Sequence, residues 1–484
     1  MPVNITEDFV RQLMEQIDFL TAQNKALTDT ITDLNQTIKE LKEQLNKNSK
    51  NSSKPPSSDG LKKPPVNKDK SFRGKSDKKQ GAQKGHEGVN LSVISEPDYI
   101  ENHMHSDCEQ CPYHEQCLDK ACIAETRQSI DAEVTVNITA HNLIIVPECP
   151  MHGGKKAGSF PVELKATVQY GKNIQALVVA LNTVGAVSIN RTHEILASVF
   201  NIPLATGTIK NMVTRFANSL TDTVKKIRQR MISRELIHCD ETGTRVNGKT
   251  WWVHNASDSL FTFLAISQKR GQIGMDEAAV MPNFEGIIVH DCWASYWKYP
   301  QVVHAVCCAH LLRELNGVIE NHPEQTWAAR FKNLLLDMKK VRDKAVSKEK
   351  DELSYYHLHK FDKEYDNIIK TAYEENPIPE KTLKKRGRTK KSKVLNLICR
   401  LDKYKASVCL FTKNFFVPFD NNQAERDLRM IKVKTKVSGC FRNENGAKEY
   451  LNIMSYVGTA KKHGVNAFTA IQAALNDNPD IIFE

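Results

Sequence analysis

The first strong pattern in the chain is a heptad repeat of apolar residues near the N-terminus. From Leu13 to Leu45 the apolar positions alternate at spacings of four and three residues, with Asn24 among them. A 3.5-residue apolar period predicts a coiled coil, and Leu at d with Ile at a favours a parallel dimer. A buried Asn at an a position fixes the register of such a dimer. We therefore predict a dimerisation helix over residues 5–46; the alternative is one amphipathic helix lying on a domain.

Apolar side chains nearly disappear after this helix. Residues 47–92 are rich in Lys, Ser, Asn and Pro. Because no core can offset the entropy lost on ordering such a segment, the composition predicts a disordered basic linker. Its lysines would contact DNA phosphates without reading base sequence, unless the segment is only a solvated spacer.

Cysteine pairs mark the next segment, residues 93–160, as a small metal-binding module. Cys108 and Cys111 form a Cys-x2-Cys pair, and Cys149 and His152 form a second pair. Two ligand pairs joined by a hairpin are typical of a structural Zn²⁺ site with four ligands. These four residues are therefore the predicted zinc ligands.

The surroundings of these pairs leave alternatives open. Residues 130–140 alternate with period two and predict a strand of the hairpin that joins the pairs. Cys117 and Cys122 are rival ligands for a four-cysteine site with the first pair; free or buried thiols are the other alternative. The N-terminus lacks the features of a signal peptide, and the longest apolar run, residues 177–187, is too short and polar to span a membrane. We therefore expect a cytoplasmic protein whose 12 cysteines are reduced, which favours zinc over disulfides.

Helical periodicity characterises residues 165–232, which we predict to be a helix-turn-helix region that binds DNA. The pattern predicts an amphipathic helix at Asn190–Phe200, a turn, and a second helix at Thr206–Phe216 with Thr206 as its N-cap. The same two helices would also suit plain helical packing. The side chains that the second helix would offer to a major groove are Thr208, Lys210 and Asn211.

Short apolar runs that end in acidic residues dominate residues 233–322. The predicted strands are residues 236–243, 249–257, 260–267, 286–291 and 302–308, with a helix after the third strand and another after the fifth. The order of elements is that of a ribonuclease-H-like core, a mixed sheet with helices on its faces. In that fold Asp240 lies in the middle of the sheet and Asp291 lies at the end of an adjacent strand.

A charged, mostly helical segment, residues 323–404, separates this part of the core from its last part, residues 405–445. We predict that it is a helical insertion and that residues 446–484 form closing helices. The net charge of +11 is moderate, so the position of the positive charge matters more than its total. A basic stretch of the insertion is expected to contact DNA phosphates, although most such stretches are solvated loops. Its predicted DNA-binding residues are Lys384, Lys385, Arg386 and Arg388.

Glu425 lies in the first turns of a predicted helix in the last part of the core. The residues that could cap this helix are Asp420, Asn421 and Asn422. Positions four and seven residues after Glu425 share its side of the helix. The cations expected to contact DNA phosphates from this helix are Arg426, Arg429 and Lys432.

Three carboxylates, Asp240, Asp291 and Glu425, suit a pair of divalent cations. Mg²⁺ or Mn²⁺ takes oxygen ligands, and two such ions stabilise the attacking and leaving oxygens of an in-line phosphoryl transfer. Asp240 would bridge both ions, while each of the other two carboxylates would complete one ion.

Glu241 is the rival of Asp240 as a ligand, and His310 is a further candidate in the core. Glu241 follows Asp240 on a strand, so its side chain should point to the opposite face. His310 has three alternatives: a position near the carboxylates, a metal site with Cys307, or plain packing at the start of a helix.

Four stretches of the chain resemble motifs of the IS66 family of bacterial insertion-sequence transposases. They are Asp240-Glu-Thr-Gly, Asp291-Cys-Trp-Ala-Ser-Tyr, Cys308-Ala-His-Leu-Leu-Arg-Glu-Leu and Asp420-Asn-Asn-Gln-Ala-Glu-Arg-Asp-Leu-Arg. The last closely matches the family's Asp-Asn-Asn-x-x-Glu-Arg-x-x-Arg. The N-terminal helix, the Ser-Lys-Pro-Pro linker, the zinc module and the helix-turn-helix also follow the order found in the family. The chain departs from the pattern at His152, where the family usually has Cys, and at Leu311-Leu-Arg, where it has Arg-Arg.

The resemblance implies an aspartate-aspartate-glutamate (DDE) transposase with Mg²⁺ or Mn²⁺ at its active site. Its substrates would be double-stranded DNA, the terminal inverted repeats of its own element and a target. Its partners would be a second copy, or a larger synaptic complex, and accessory proteins of the same element, in the cytoplasm at the nucleoid. Two other classes stay open: a dimeric zinc and helix-turn-helix regulator with an inactive core, and a nuclease or resolvase that cuts without joining.

Overall fold

The computed structural model describes residues 6–52, 94–119, 121–132, 134–378 and 391–483. The chain divides into a larger compact unit, Met1–Lys62 with Leu143–Glu484, and a smaller one, Lys63–Asn142. The predicted linker lies outside the described residues from 53 to 92. Among the described residues, no helix is both long enough and apolar enough to cross a membrane.

Helices form most of the regular structure. In chain order they are α1 (Glu7–Leu45), α2 (Ser106–Glu109), α3 (His114–Leu118), α4 (Lys172–Asn182), α5 (Ile189–Phe200), α6 (Thr206–Ser219), α7 (Thr221–Ile232), α8 (Gln272–Glu277), α9 (Cys308–Asn321), α10 (Trp327–Val346), α11 (Tyr355–Glu375), α12 (Lys393–Lys403), α13 (Lys405–Val408), α14 (Leu410–Lys413), α15 (Asn422–Ser438), α16 (Glu444–Lys462) and α17 (Ala467–Leu475). The strands are β1 (Ile145–Val146), β2 (Lys156–Ala157), β3 (Leu236–Val246), β4 (Lys249–Ser257), β5 (Thr262–Ser267), β6 (Ile287–His290) and β7 (Val303–Val306).

A five-stranded mixed sheet organises the larger unit, which is therefore an α+β fold. Its strand order is β5-β4-β3-β6-β7, so β3 is central. The first three of these strands in sequence pair antiparallel, whereas β6 and β7 run parallel to β3. A two-residue turn joins β3 to β4, and both Asn247 (φ 47°) and Gly248 (φ 73°) have the positive φ that a tight hairpin requires. All five strands predicted from the sequence are present, with only their ends displaced.

Helices cover both faces of this sheet because β3 alternates its side chains between them. Ile237 and Cys239 are buried in a cluster that includes α6, α7 and the C-terminal helices. Val246 is buried on the other face against Leu428 and Ile431 of α15. The two faces of the sheet therefore pack against different helices. Consecutive side chains of β3 contact different sets of residues.

The described helices between residues 327 and 403, α10 to α12, pack in an apolar cluster that also includes residues of α9, β6 and β7. Trp327, Phe331 and Tyr365 are fully buried there, and the ring of Phe331 meets the ring of Tyr365 edge-on at 4.8 Å. The Tyr365 hydroxyl donates a hydrogen bond of 2.8 Å to the backbone oxygen of Leu401, which ties α11 to α12. This helical segment lies in the chain between the helix α9 and the helix α15 of the core.

Two local predictions were wrong. The described residues within 130–140 form no strand, and Ile138 is 94% exposed. In the described part of the smaller unit no strand is present to pair with this stretch, so its alternation alone does not form a hairpin. Thr206 is the first residue of α6; the N-cap position is Ala205, which makes no side-chain cap hydrogen bond.

Candidate active site

Asp240 lies on the central strand and on the face that α15 covers. Side chains at every second position of β3 share a face. Two positions before Asp240, the His238 ring bonds the Asn421 amide oxygen at 2.8 Å, and four positions after it, Thr244 meets Thr435 of α15 at 3.0 Å. The half-buried Asp240 carboxylate therefore faces the start of α15.

Asp291 follows β6 directly and comes next to Asp240 through the parallel pairing of β3 with β6. The last paired residues are His238 and Val289, so each aspartate lies two residues beyond the same pair. The Asp291 Oδ1 atom accepts a hydrogen bond of 2.9 Å from the backbone N–H of Trp293, which turns the chain after the strand. The sequence predicted Asp291 at the end of a strand adjacent to that of Asp240; it lies one residue after β6, the parallel neighbour of β3.

Asn421 fixes the start of α15, the helix that carries Glu425 in its first turn. It stands at the N-cap position, but its side chain makes no cap hydrogen bond. Instead, the fully buried amide donates to the backbone oxygen of Cys239 at 2.8 Å, and its backbone N–H lies 3.1 Å from the Cys307 sulfur. Asn421 thus connects the helix to the backbone of β3 directly before Asp240.

Glu425 is held by two residues of α9. Its Oε1 atom accepts a hydrogen bond of 3.2 Å from Arg313 and lies 3.7 Å from the His310 ring. The other nitrogen of His310 lies 3.3 Å from the Cys307 sulfur. His310 therefore lies near the carboxylates, buried at the start of α9 and also beside Cys307. The role of Arg313 was missed, although it is the arginine of the segment after Ala-His.

The electrostatics of Asp240 show that the three carboxylates share one neighbourhood. Burial raises the pKa of Asp240 well above its ordinary value, and the charges of Glu241, Asp291 and Glu425 raise it further. Burial also lowers the pKa of Lys432, while the charge of Asp240 acts in the opposite direction. The carboxylates do not converge on a single point: among the described residues, no three His, Cys, Asp or Glu side chains form a ready metal-binding group.

The donor atoms around Asp240 fit a hard divalent cation. Asn255 lies opposite Asp240 in the register of β3 and β4 and is only 4% exposed. Its amide nitrogen contacts Ser257 at 3.2 Å and the backbone oxygen of Ala424 at 3.4 Å, while its Oδ1 atom is buried without a hydrogen-bond partner among the described residues. An unpaired buried oxygen costs about 1–3 kcal/mol. A cation that relieves carboxylate repulsion and takes oxygen ligands suits this environment.

Glu241 points away from Asp240, as the strand alternation predicted. Its carboxylate accepts hydrogen bonds from Arg270 (2.8 and 3.1 Å) and from the Tyr296 hydroxyl (2.9 Å). The Arg270 guanidinium lies between two tryptophan rings, 4.7 Å from the centroid of Trp252 and 4.3 Å from that of Trp293. Burial, and then the charge of Asp291, raise the pKa of Glu241 to about 6, although Arg270 opposes this shift.

The three residues of α6 that were predicted to contact DNA differ in their exposure and in the contacts that they already make. Thr208 is half-buried and Asn211 is exposed. Lys210 forms an ion pair with Glu449 of α16 and a hydrogen bond of 2.8 Å with Thr214. Contact between Lys210 and a phosphate would require exchange of this carboxylate for the phosphate.

Two of the three predicted cations of α15, Arg429 and Lys432, lie four and seven residues after Glu425 and so share its side of the helix. Arg426 is exposed and donates to the Gln423 side chain at 2.6 Å, Arg429 is exposed, and Lys432 is half-buried near Asp240. The four predicted residues of the basic stretch lie outside the described residues; they are Lys384, Lys385, Arg386 and Arg388.

The predicted zinc ligands fall into two pairs, one in each unit. In the smaller unit, the backbone N–H of Cys111 donates to the Cys108 oxygen at 3.3 Å. In the larger unit, the Cys149 sulfur lies 3.6 Å from the His152 ring. Cys117 and Cys122, the rival ligands, are exposed. Zinc binding stays a prediction, because no metal-binding group forms among the described residues.

The fold and the three carboxylates define an α+β protein with a candidate phosphoryl-transfer site. Residues 167–449 match the family model Transposase IS66 family, and residues 4–92 match a family of unknown function, DUF6444. No curated protein matches the chain. The first match covers more than half of the chain and includes all three carboxylates, so the chain belongs to the IS66 family of transposases. It is a DNA-processing enzyme of transposition.

Proposed function

We propose that this chain is a DDE transposase that cleaves DNA at the terminal inverted repeats of its element and joins the ends to target DNA. Asp240, Asp291 and Glu425 are its catalytic residues. The observation that carries the proposal is that Asp240 on β3, Asp291 directly after β6 and Glu425 in the first turn of α15 share one neighbourhood. Burial, and then the charges of nearby carboxylates, raise the pKa of Asp240 well above its ordinary value. Carboxylates gathered from two adjacent strands and a helix suit metal-assisted phosphoryl transfer.

The sheet supports the further proposal of a ribonuclease-H-like core. Three antiparallel strands followed by two parallel ones, with β3 in the centre, match that architecture. In this arrangement Asp240 and Asp291 occupy the central strand and the end of its parallel neighbour.

Asp240, Asp291 and Glu425 would hold two Mg²⁺ or Mn²⁺ ions. Bound there, such cations would supply stabilisation of the negative charge on the attacking and leaving oxygens at phosphorus. The protein's own contribution is to position these groups. Asn421 holds the start of α15 against β3, and Lys432, half-buried near Asp240, is suited to neutralise a DNA phosphate that enters the site.

Other regions would bring DNA and a second copy to this site. We propose that α6 contacts DNA through Thr208, Lys210 and Asn211, and α15 through Arg426 and Arg429, with phosphate contacts from the basic stretch near residues 384–388. The apolar seam of α1 is exposed, with Leu27 at 59% and Ile31 at 57%, which supports a parallel homodimer within a synaptic complex. A structural Zn²⁺, accessory proteins of the same element and action at the nucleoid complete the proposal.

One assay tests this function. The full-length protein is incubated with end-labelled DNA that carries the element terminus, a target plasmid and Mg²⁺ or Mn²⁺. We expect nicked and joined products from the wild type, and loss of both with Asp240→Asn while DNA binding in a gel-shift assay is retained. Asp337→Asn, a matched change at an exposed position of α10, should leave both activities intact.

The products also separate the rival functions. Cleavage without joined products would indicate a nuclease or resolvase, and binding without cleavage would indicate a regulator with an inactive core. Cleavage that survives Asp240→Asn would mean that the catalytic site lies elsewhere.

A further inference from the structure

The end of α1 and the turns after it pack against α9 of the core. We call residues 43–52 the stem. Within it, the Asn51 amide donates to the backbone oxygen of Asn46 at 2.9 Å, and the Asn51 Oδ1 atom accepts from the backbone N–H of Asn48 at 2.8 Å. These local hydrogen bonds fold the stem into compact turns, and Asn51 is only 7% exposed.

Polar contacts join the stem to the C-terminal half of α9. The Asn51 amide donates to the Glu320 carboxylate at 2.7 Å, and Asn46 contacts Asn321 at 3.4 Å. Glu43 lies 3.1 Å from the ring of His322, the residue that ends α9. Asparagine side chains thus satisfy polar groups on both sides of the contact.

An ion pair connects the stem to α12. The Lys393 Nζ atom lies 3.0 Å from the second oxygen of the Glu43 carboxylate. Burial raises the pKa of Glu43, but Lys393 and His322 outweigh this and bring it below its ordinary value. The carboxylate is therefore ionised at neutral pH and bridges two helices of the core.

Gly317 makes the closest part of this contact possible. A Cβ atom at this position would lie 2.6 Å from the backbone oxygen of Asn51. Glycine inside a helix costs about 1 kcal/mol relative to alanine, so its presence in the middle of α9 needs a reason. The close approach of the stem backbone supplies one.

The docked face of α9 continues into the active site. Gly317 lies four residues after Arg313, which places both on one side of the helix about 6 Å apart along its axis. Arg313 is the residue that holds Glu425. The stem is therefore packed one helical turn from the group that positions a predicted catalytic carboxylate.

We propose that the N-terminal region, matched to a family of unknown function, docks on α9 through the stem and fixes α1 rigidly beside the active site. The partner of the α9 surface is this chain's own stem. If α1 also joins two copies, as in the function proposed above, the docked stem sets the distance between two active sites. Paired cleavage of two element ends then depends on docking, whereas nicking of a single end does not.

Hydrogen exchange of the full-length protein tests docking without any reference to catalysis. Gly317→Ala favours the helical state of α9 but places a methyl group against the Asn51 backbone. We expect amide exchange in residues 46–52 to become at least about tenfold faster, because local opening sets the exchange rate, while α9 stays protected. Asn51→Ala, which removes the side-chain hydrogen bonds of Asn51 to Glu320 and within the stem, should have the same effect.

Gly207→Ala is the matched control, because this change in α6 meets no atom within 4 Å. It should leave exchange of the stem unchanged. Equal protection of residues 46–52 in the wild type, Gly317→Ala and Asn51→Ala would overturn the docking proposal.

A cleavage assay with two element ends tests the consequence. We expect Gly317→Ala to keep single-end nicking and to reduce paired-end products by about tenfold. Without docking, the second active site is no longer held at a fixed distance, so its effective concentration at the second DNA end falls. Unchanged paired-end products in a variant whose stem is undocked would refute the role of docking in pairing. If the wild type cleaves no DNA at all, the proposed function fails, while the exchange result still decides the docking.

Discussion

Asp240 and Glu241 are neighbours in the chain, but their side chains lie on opposite faces of the sheet and in opposite electrostatic surroundings. Glu241 is paired with Arg270 and bonded by Tyr296, whereas the charges that raise the pKa of Asp240 are the carboxylates of Glu241, Asp291 and Glu425. The face with paired charges stabilises the fold. On the face toward α15, burial near Asp291 and Glu425 disfavours the charged form of Asp240, as is common where a protein must bind a cation or a substrate.

The largest expected effect is on DNA cleavage, which should depend on the carboxylates of the α15 face much more than on Glu241. Glu425→Gln should lower DNA cleavage by roughly 10³-fold or more, because a catalytic group is lost. Glu241→Gln should lower it by no more than about tenfold, the lower end for a residue that only orients others. Rates are measured on labelled element-end DNA with protein of matched folded content. Equal losses in the two variants would show that Glu241 belongs to the catalytic site.

The next prediction concerns the connection between the α15 face and β3. Asn421→Ala removes the hydrogen bond to the Cys239 backbone and should reduce cleavage about 10–100-fold, with a matching rise in the Mg²⁺ concentration required. The exposed neighbour Asn422 provides the control, since Asn422→Ala should change neither quantity. A loss of thermal stability with an unaltered Mg²⁺ requirement would assign Asn421 a purely structural role.

The contribution of the Glu241–Arg270 ion pair to the free energy of unfolding can be measured directly. Glu241→Leu leaves Arg270 without its carboxylate and should cost about 2–3 kcal/mol, less than for a fully buried pair because the Arg270 side chain is 42% exposed. The double variant Glu241→Leu, Arg270→Leu should cost less than the single one. Denaturant unfolding of the wild type, Glu241→Leu, Arg270→Leu and the double variant gives the coupling free energy. A coupling near zero would contradict a stabilising role for this ion pair.

The smallest expected effect concerns Lys434, a buried cation on α15. Its ammonium group donates to the backbone oxygen of Asn182 at 3.0 Å, and burial lowers its pKa from 10.5 to about 8. The folded state then binds fewer protons than the unfolded state between these values, so stability rises with pH across that range. Lys434→Met should stabilise the protein by roughly 1–3 kcal/mol at pH 7, with a smaller gain as the pH rises above 8.

Thermal unfolding at several pH values measures this difference. Lys436→Met, an exposed position two residues further along the same helix, should show no pH-dependent gain. A gain for Lys434→Met that stays constant from pH 7 to pH 10 would contradict the lowered pKa.

Local patterns predicted the elements of the core, because the period of apolar residues depends only on neighbouring positions. The runs before Asp240 and Asp291 became β3 and β6, and Glu425 lies in the first turn of a helix, as expected. The stretch at 130–140 shows the limit of this reasoning, since a strand needs a partner that its own sequence does not supply.

The sequence by itself determined the strands, the helices and the three carboxylates with their motifs, since each depends on nearby residues. Only the tertiary structure decided which side chains meet across the chain. Arg313 holds Glu425, Asn421 bonds the β3 backbone, and Asn51 packs on Gly317. Such contacts join residues far apart in sequence, and no local period or spacing encodes them. They depend on how whole helices pack on the sheet, where free energy and geometry are shared among many residues.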